Sequence, residues 1–296
     1  MKNIQYIILL FTLLFMACSS EESSLELNES IQLSVDQLNF HSGTTSTIDG
    51  SAAENEVQNL YVFLFTGTTV DKYYFSTGTW NTTDKKVTIN ISPATAGTRE
   101  VYIVANSSTV IKNQLDAVID KASFLAVYES LSGPWSTNIS TPILMVGHKA
   151  THNFATNPKL DKIDLERVIA KLELQVTLSE KQQDISTAFS YRFVNFDKRT
   201  YVVKPNPEKP DDLLLYSDWF PLSSINDITL SGEKVSSFKI VTYLNERDTP
   251  GAIVEIILPS SEGGLLPPPE FVDDVYKLRL PDKVVRNTLY KYEIGF

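Results

Sequence analysis

The chain has 296 residues, which is enough for one large domain or two ordinary ones. Its formal net charge is −10, and no stretch concentrates Lys and Arg, so the composition argues against nucleic acid as a partner. A single cysteine excludes an intramolecular disulfide, and stability must come from core packing and sheet hydrogen bonds.

The N-terminal segment has the layout of a secretory signal peptide. Lys2 precedes an apolar run over Tyr6–Ala17, and Cys18 follows directly. About 12 residues of helix span about 18 Å, well short of the roughly 30 Å core of a membrane. We therefore expect residues 1–17 to be a signal peptide and Cys18 to become a lipidated N-terminus, with 18–30 as a flexible tether. The alternative is a plain secreted protein with an incidental thiol.

The residues after Cys18 indicate where the lipoprotein is sent. Ser19 and Ser20 followed by Glu21 and Glu22 resemble the signal that sends lipoproteins to the outer face of some Gram-negative outer membranes. We expect a surface-exposed lipoprotein of the cell outer membrane, held there through the lipid on Cys18.

The first strand signals follow the tether. Ile31, Leu33 and Val35 alternate, and the apolar phase then shifts to Leu38 and Phe40, which predicts one strand with a bulge at the shift. Residues 41–56 are rich in small polar residues and predict a loop. Residues 60–65 are continuously apolar and predict a central strand that is buried on both faces.

Further elements alternate with turn signals up to the C-terminus. Ser107, Ser108 and Thr109 can cap a helix whose apolar face includes Ile119. From Lys171 apolar and polar residues alternate, as in a strand with one wet face. Other strands are predicted at 72–76, 87–91, 101–105, 189–195, 238–244, 253–258 and 275–280. Residues 143–146 and 148–154 predict a further strand or a bent hairpin, and a last strand has Tyr290, Tyr292, Ile294 and Phe296 on one face.

Strands at this spacing predict an all-β protein of two β-sandwich domains, the first with one helix. We place the first sandwich at residues 31–164 and the second at 165–296.

The chain lacks a recognisable chemical site. His148 and His152 have metal-like spacing, but their segment looks extended and lacks the Glu of a zinc protease motif, so two surface histidines are favoured. With Cys18 committed to lipid, no thiol remains, and no glycine loop for phosphate occurs. Trp80, Trp135 and Trp219 fit sugar-stacking platforms or, more simply, core anchors. We expect no enzyme activity, no catalytic residues, no cofactor and no metal.

Several phrases resemble the fimbrillins (FimA/FimB/Mfa-like), the subunits of type V pili. The phrases occur in family order over nearly the whole mature chain. They are Val57–Phe65, Val101–Asn106, Pro142–Gly147, Leu165–Leu172, Val241–Glu246 and Arg286–Tyr290.

The resemblance implies transthyretin-like sandwiches and assembly by strand exchange. In polymerising subunits of the family, an Arg-specific protease removes an N-terminal segment and opens a groove that a neighbour fills with a strand. It implies that other fimbrial subunits are partners, with host or bacterial surface ligands as further candidates. The residues expected to take part are Ile31, Leu33, Val35, Leu38 and Phe40 of the first strand and Tyr290, Tyr292, Ile294 and Phe296 of the last.

The sequence departs from the polymerising pattern at the cleavage step. Between Lys2 and Lys72 there is no Lys or Arg, so a protease with a basic preference has no target there. We therefore expect residues 31–40 to stay in their own groove and the lipid to stay attached, as in subunits that anchor the base of a fimbria. The alternatives are a polymerising or tip subunit matured by a protease without a basic preference, and a surface glycan-binding lipoprotein.

Overall fold

The protein is described here from a computed structural model. The structure describes residues 30–37, 40–42, 47–48, 50–130, 141–180, 183, 189–205, 212–225, 227–258 and 275–296, with the backbone alone at 37, 40–42 and 47–48. The expected signal peptide, Cys18, the tether up to residue 29, Leu38 and Trp135 lie outside these residues. Across the described part of the chain, no helix is long and apolar enough to cross a membrane.

The strands, in chain order, are β1 (Ile31–Gln37), β2 (Phe40–Ser42), β3 (Thr47–Ile48), β4 (Leu60–Thr66), β5 (Thr69–Phe75), β6 (Lys86–Ile89), β7 (Thr98–Ala105), β8 (Tyr128–Ser130), β9 (Met145–Asn153), β10 (Lys159–Arg167), β11 (Ile169–Thr177), β12 (Ser190–Asp197), β13 (Arg199–Tyr201), β14 (Leu213–Tyr216), β15 (Phe220–Pro221), β16 (Asp227–Ser231), β17 (Lys234–Asn245), β18 (Ile253–Ile257), β19 (Val275–Arg279) and β20 (Thr288–Gly295). The helices are α1 (Ala52–Asn55), α2 (Pro93–Ala96), α3 (Thr109–Asp116) and α4 (Lys121–Leu125), with a 3-10 turn at Leu222–Ser224.

The first sandwich is one folded-over sheet with the strand order β5-β4-β7-β9-β10-β1-β6. β9 and β10 pair through Val146 with Glu166 and Met145 with Arg167, and the sheet turns over at this corner. A Cβ at Gly147 would lie 2.5 Å from the Ile163 side chain, so the corner requires glycine. The turn brings β1, β6 and β10 against β4 and β7 around one apolar cluster, the first core cluster.

β4 confirms the expected central strand. Residues 60–65 are each at most 1% exposed, and the strand pairs with β5 on one side and β7 on the other. Leu60, Val62 and Leu64 point into the sandwich core. Tyr61 and Phe63 point to the opposite face, where α3 and α4 cover them.

The predicted helix is present as α3, and the chain then breaks before α4. The Ser108 hydroxyl caps α3 by accepting from the Ile111 amide at 3.2 Å, and the Asp120 carboxylate caps α4 by accepting from the Ser123 amide at 2.8 Å. Ile119 lies in the break and is 80% exposed, so its assignment to the apolar face was wrong.

The second sandwich packs the sheet β16-β17-β11-β20 against the sheet β14-β12-β18-β19. β11 shows the predicted alternation, because Leu172, Leu174 and Val176 are fully buried while the residues between them are partly exposed. These side chains face Phe193 of β12 and Val254 of β18 across the core.

A third apolar cluster joins the two sandwiches. Tyr61 and Phe63 of β4 lie in one cluster with Ile169 of β11, Tyr243 of β17 and Leu289 of β20. The two sandwiches therefore share buried surface.

Candidate strand-exchange site

β1 occupies a groove of the first sandwich and is hydrogen-bonded on both sides. It runs parallel to β10, with Leu33 opposite Leu160, and antiparallel to β6, with Leu33 opposite Val87. Ile31 and Leu33 are 0% exposed and Val35 is 4% exposed. Burial of three such side chains stabilises the fold by about 5–9 kcal/mol, at roughly 1.5–3 kcal/mol each.

Without β1, the sandwich would have an open groove. β6 and β10 would each lose a hydrogen-bonding neighbour, and Val87, Ile89, Leu160 and Ile163 would lose the side chains that pack on them. An apolar floor between two unpaired strand edges is the acceptor that β-strand addition requires. This is the candidate strand-exchange site.

The phase shift after Val35 marks a change of sheet. Instead of one bulged strand over 31–40, the structure has β1 in the first sandwich and β2 beside the second. In β2, His41 pairs with Thr288 and Ser42 with Leu289 of β20. Because consecutive strands in different sheets can bury different faces, a change of apolar phase between β1 and β2 needs no bulge. Leu38 and the side chain of Phe40 lie outside the described residues.

The expected loop at 41–56 contains a short hairpin, β2 and β3, and the helical turn α1. Ser51 and Glu54 form a capping box, in which the Ser51 amide donates to the Glu54 carboxylate at 2.6 Å. Glu54 is only 1% exposed. Its carboxylate also accepts from the Tyr243 hydroxyl and lies 3.0 Å from the Lys171 ammonium.

This pairing sets the charge state of Glu54. Burial raises the pKa of its carboxyl, but the bonds from Tyr243, the Ser51 amide and Lys171 outweigh burial, and the pKa is lowered below its usual value. Burial and the hydrogen bond to Glu54 both raise the pKa of the Tyr243 phenol. The ionised carboxylate therefore holds the segment after β3 on the second sandwich.

Residues of the family-like phrases meet at the same junction. The Arg167 guanidinium donates to the Asn287 side-chain oxygen at 2.9 Å and also to Asn55 of α1. Asn287 has a φ of 53°, and its amide donates to the Ile169 carbonyl at 2.8 Å. Arg167 and Asn287, which belong to two of the phrases that resemble the family, are therefore partners in one buried contact.

Asn106 holds the opposite side of the segment. Its side chain donates to the Glu56 and Ile143 carbonyls, each at 2.8 Å, and accepts from the Gln58 amide at 2.8 Å. Asn106 has a φ of 61°, a conformation that asparagine adopts more readily than most residues. Asn106, Arg167 and Asn287 lie in phrases that resemble the family, but the sequence did not predict that they hold the segment between β3 and β4 in place.

β20, the other candidate strand, belongs to the second sandwich of the same chain. It runs parallel to β11 from Leu289 to Gly295, and the Phe296 carbonyl accepts from the Ser179 amide at 2.7 Å. Its apolar face packs on the core, with Phe296 and Tyr276 ring centroids 4.3 Å apart. The core-facing residues are Tyr290, Tyr292, Ile294 and Phe296.

The predicted histidine pair lies on an extended strand. The imidazole of His148 lies 2.9 Å from the Glu100 carboxylate, and that of His152 lies 2.9 Å from the Asn157 carbonyl. Within the described ranges, no group of three or more potential ligand side chains could hold a metal ion.

Two family models match consecutive parts of the chain between residues 30 and 295. The model for the major fimbrial subunit protein (FimA) matches residues 30–165, and the model for the C-terminal part of the minor fimbrium tip subunit MfA4 matches residues 168–295. The minor fimbrium tip subunit MfA4 of Porphyromonas gingivalis is 41% identical over 332 aligned residues, covering 99% of both chains.

The chain belongs to the fimbrillin family. It is therefore a fimbrial subunit, a component of a cell-surface appendage, and its family consists of structural proteins.

Solved structures agree on the fold. The tip fimbrial protein Mfa3 of Porphyromonas gingivalis superposes with a TM-score of 0.57 at 15% identity, covering 90% of this chain and 95% of that one. A fimbrial assembly protein of Parabacteroides distasonis gives a TM-score of 0.51 at 14% identity, covering 89% and 90%. These likenesses confirm the predicted β-sandwich architecture of this fimbrillin.

Proposed function

We propose that this fimbrillin is a terminal subunit of a fimbria, of the tip type, joined to other fimbrial subunits by strand complementation. The observation that carries the proposal is the 41% identity to a minor fimbrium tip subunit over 99% of both chains.

The lack of a basic cleavage site after β1 supports a terminal position. In a linear chain of strand exchange, every internal subunit accepts one strand and donates another. A subunit whose groove keeps its own β1 cannot accept, so it occupies an end. No Lys or Arg lies between Lys2 and Lys72, so a protease with a basic preference cannot cut β1 away.

The side chains of β1 and β20 also disfavour strand exchange between two copies of this chain. The groove sites hold Ile31, Leu33 and Val35, which are at most 4% exposed. β20 of a second copy would bring the rings of Tyr290 and Tyr292 into such sites. Overpacking a dense core costs about 1–3 kcal/mol per site, so the subunit that accepts a strand from this chain has a different sequence.

A subunit anchoring the fimbrial base is the second candidate, and the missing basic residues favour it. An acylated Cys18 would hold the chain on the outer membrane. The tip position requires release from that lipid. The cut must then fall between Cys18 and Ile31, made by a protease without a basic preference.

Immunogold electron microscopy of fimbriated cells tests the proposal. An antibody to this chain is expected to label the distal end of each fimbria, one cluster per filament. Label at the membrane-proximal end would establish the anchor, and label along the shaft would contradict a terminal position altogether. A strain deleted for this chain is the control for antibody specificity.

A further inference from the structure

Trp80 lies in a firmly held turn between β5 and β6. The Ser76 carbonyl accepts from the Thr79 hydroxyl at 2.7 Å, and the Asp84 amide donates to the Asn81 side chain at 2.9 Å. The indole of Trp80 is half-buried against the first core cluster, and its N–H points at the Gln58 carbonyl at 3.4 Å. The ring is therefore fixed in place before any ligand arrives.

Two open grooves adjoin this indole, and both are lined mainly by polar side chains, with Val57 in one and Phe75 in the other. One groove has a volume of about 620 Å³ and is lined by Gln58, Thr77 and Thr82. The other has a volume of about 510 Å³ and is lined by Thr79 and Thr88. Both volumes lie within the roughly 300–1,000 Å³ of small-ligand sites.

We propose that Trp80 and these two grooves form a binding site for a neutral oligosaccharide. A sugar ring has an apolar C–H face that packs on an indole, and its hydroxyls need both donors and acceptors around that face. Amide and hydroxyl side chains supply both. Two grooves meeting at one aromatic ring accommodate successive sugar units on either side of it.

The balance of charge favours a neutral glycan over a sulfated or uronic one. In the first groove, Lys85 is paired with Asp36 at 3.3 Å, and the Glu56 carboxylate accepts from the Gln58 side-chain amide at 3.1 Å. The second groove contributes Lys86. Neither groove concentrates one sign of charge, as an acidic polymer would require.

Trp219 provides a contrast within the same chain. The guanidinium of Arg192 lies 4.4 Å from its ring centroid and 4.7 Å from that of Tyr216, and Arg192 is paired with Glu255 at 2.6 Å. This indole is engaged by its own protein, so Trp219→Phe is a matched control for Trp80→Phe.

The test is a titration of the mature protein, followed through the indole N–H signals in a ¹⁵N-correlation NMR spectrum. The Trp80 signal is assigned as the one missing in Trp80→Phe. Maltohexaose, cellohexaose and mannohexaose are added to about 10 mM, a range that reveals a Kd of about 1 mM or tighter. At least one is expected to shift the Trp80 signal saturably, whereas the Trp219 signal stays unchanged.

Variants then locate the site. Trp80→Ala is expected to weaken binding at least tenfold, and Trp219→Phe to leave it unchanged. Thr82→Arg and Thr88→Arg change exposed groove positions without touching the indole packing, so they test the site even if Trp80→Ala fails to fold. No saturable shift with any of the three sugars, a response to dextran sulfate alone, or full binding by both Arg variants would overturn the proposal.

Discussion

Leu33→Ala measures what β1 contributes to the mature protein. Leu33 is 0% exposed, lies in the middle of β1 and packs in the first core cluster. Truncation of a fully buried leucine removes its transfer free energy and leaves a cavity, which together cost about 3–5 kcal/mol. The neighbouring Ser34 points away from that core and is half-buried, so Ser34→Ala is expected to cost about 0.5 kcal/mol or less.

The assay is urea unfolding of protein purified from the cell surface, followed by tryptophan fluorescence. Trp80 reports on the first sandwich because it packs on the same cluster as Leu33. We expect the free energy of unfolding to fall by about 3 kcal/mol or more for Leu33→Ala relative to Ser34→Ala. Equal midpoints and slopes for the two variants would mean that β1 is absent from the mature fold, and the terminal assignment would then fail.

Three further predictions concern the segment between β1 and β4. Glu54 has a lowered pKa, so its ionised carboxylate stabilises the fold fully above pH 4.5, and this contribution is lost as the pH falls. The difference in the free energy of unfolding between wild type and Glu54→Gln should therefore narrow from pH 5 to pH 3. A constant difference would refute the assignment of an ionised Glu54 in the folded state. Asn106→Ala should lower the free energy of unfolding by about 2 kcal/mol, because the Glu56 and Ile143 carbonyls lose their hydrogen-bond donor. A decrease of less than about 0.5 kcal/mol would contradict a stabilising role for these two hydrogen bonds. Thr45→Arg should create a site for an Arg-specific surface protease, and mass spectrometry should then find a new N-terminus at Ser46. If the variant is not cut, the lack of an arginine is not what protects β1 from removal.

The long regular strands could be predicted because their burial is simple. Residues 60–65 are buried on both faces and read as a continuous apolar run, while β11 has one wet face and alternates. β10 was missed because its buried residues Leu160, Ile163 and Leu165 do not keep a period of two. The register between β1 and β10 shifts within this stretch, and the irregular spacing follows from that shift.

The candidate site was only partly predictable. The alternation of Ile31, Leu33 and Val35 identified β1, but a pattern of apolar residues cannot distinguish a bulge from a change of sheet. The helical turn α1 had a sequence signal, Ser51 followed by Glu54 three residues later, which is a capping box. The bond from Tyr243 to Glu54 joins residues 189 apart, and no local pattern predicts such a contact.

The intact mass and N-terminal sequence of this chain, isolated from purified fimbriae, show whether β1 is retained after maturation. We expect a mature N-terminus no later than Ile31, so that β1 remains in the assembled subunit. A start between His41 and Glu56 would show that the groove is vacated for a neighbour's strand, and the chain would then be an internal, polymerising subunit.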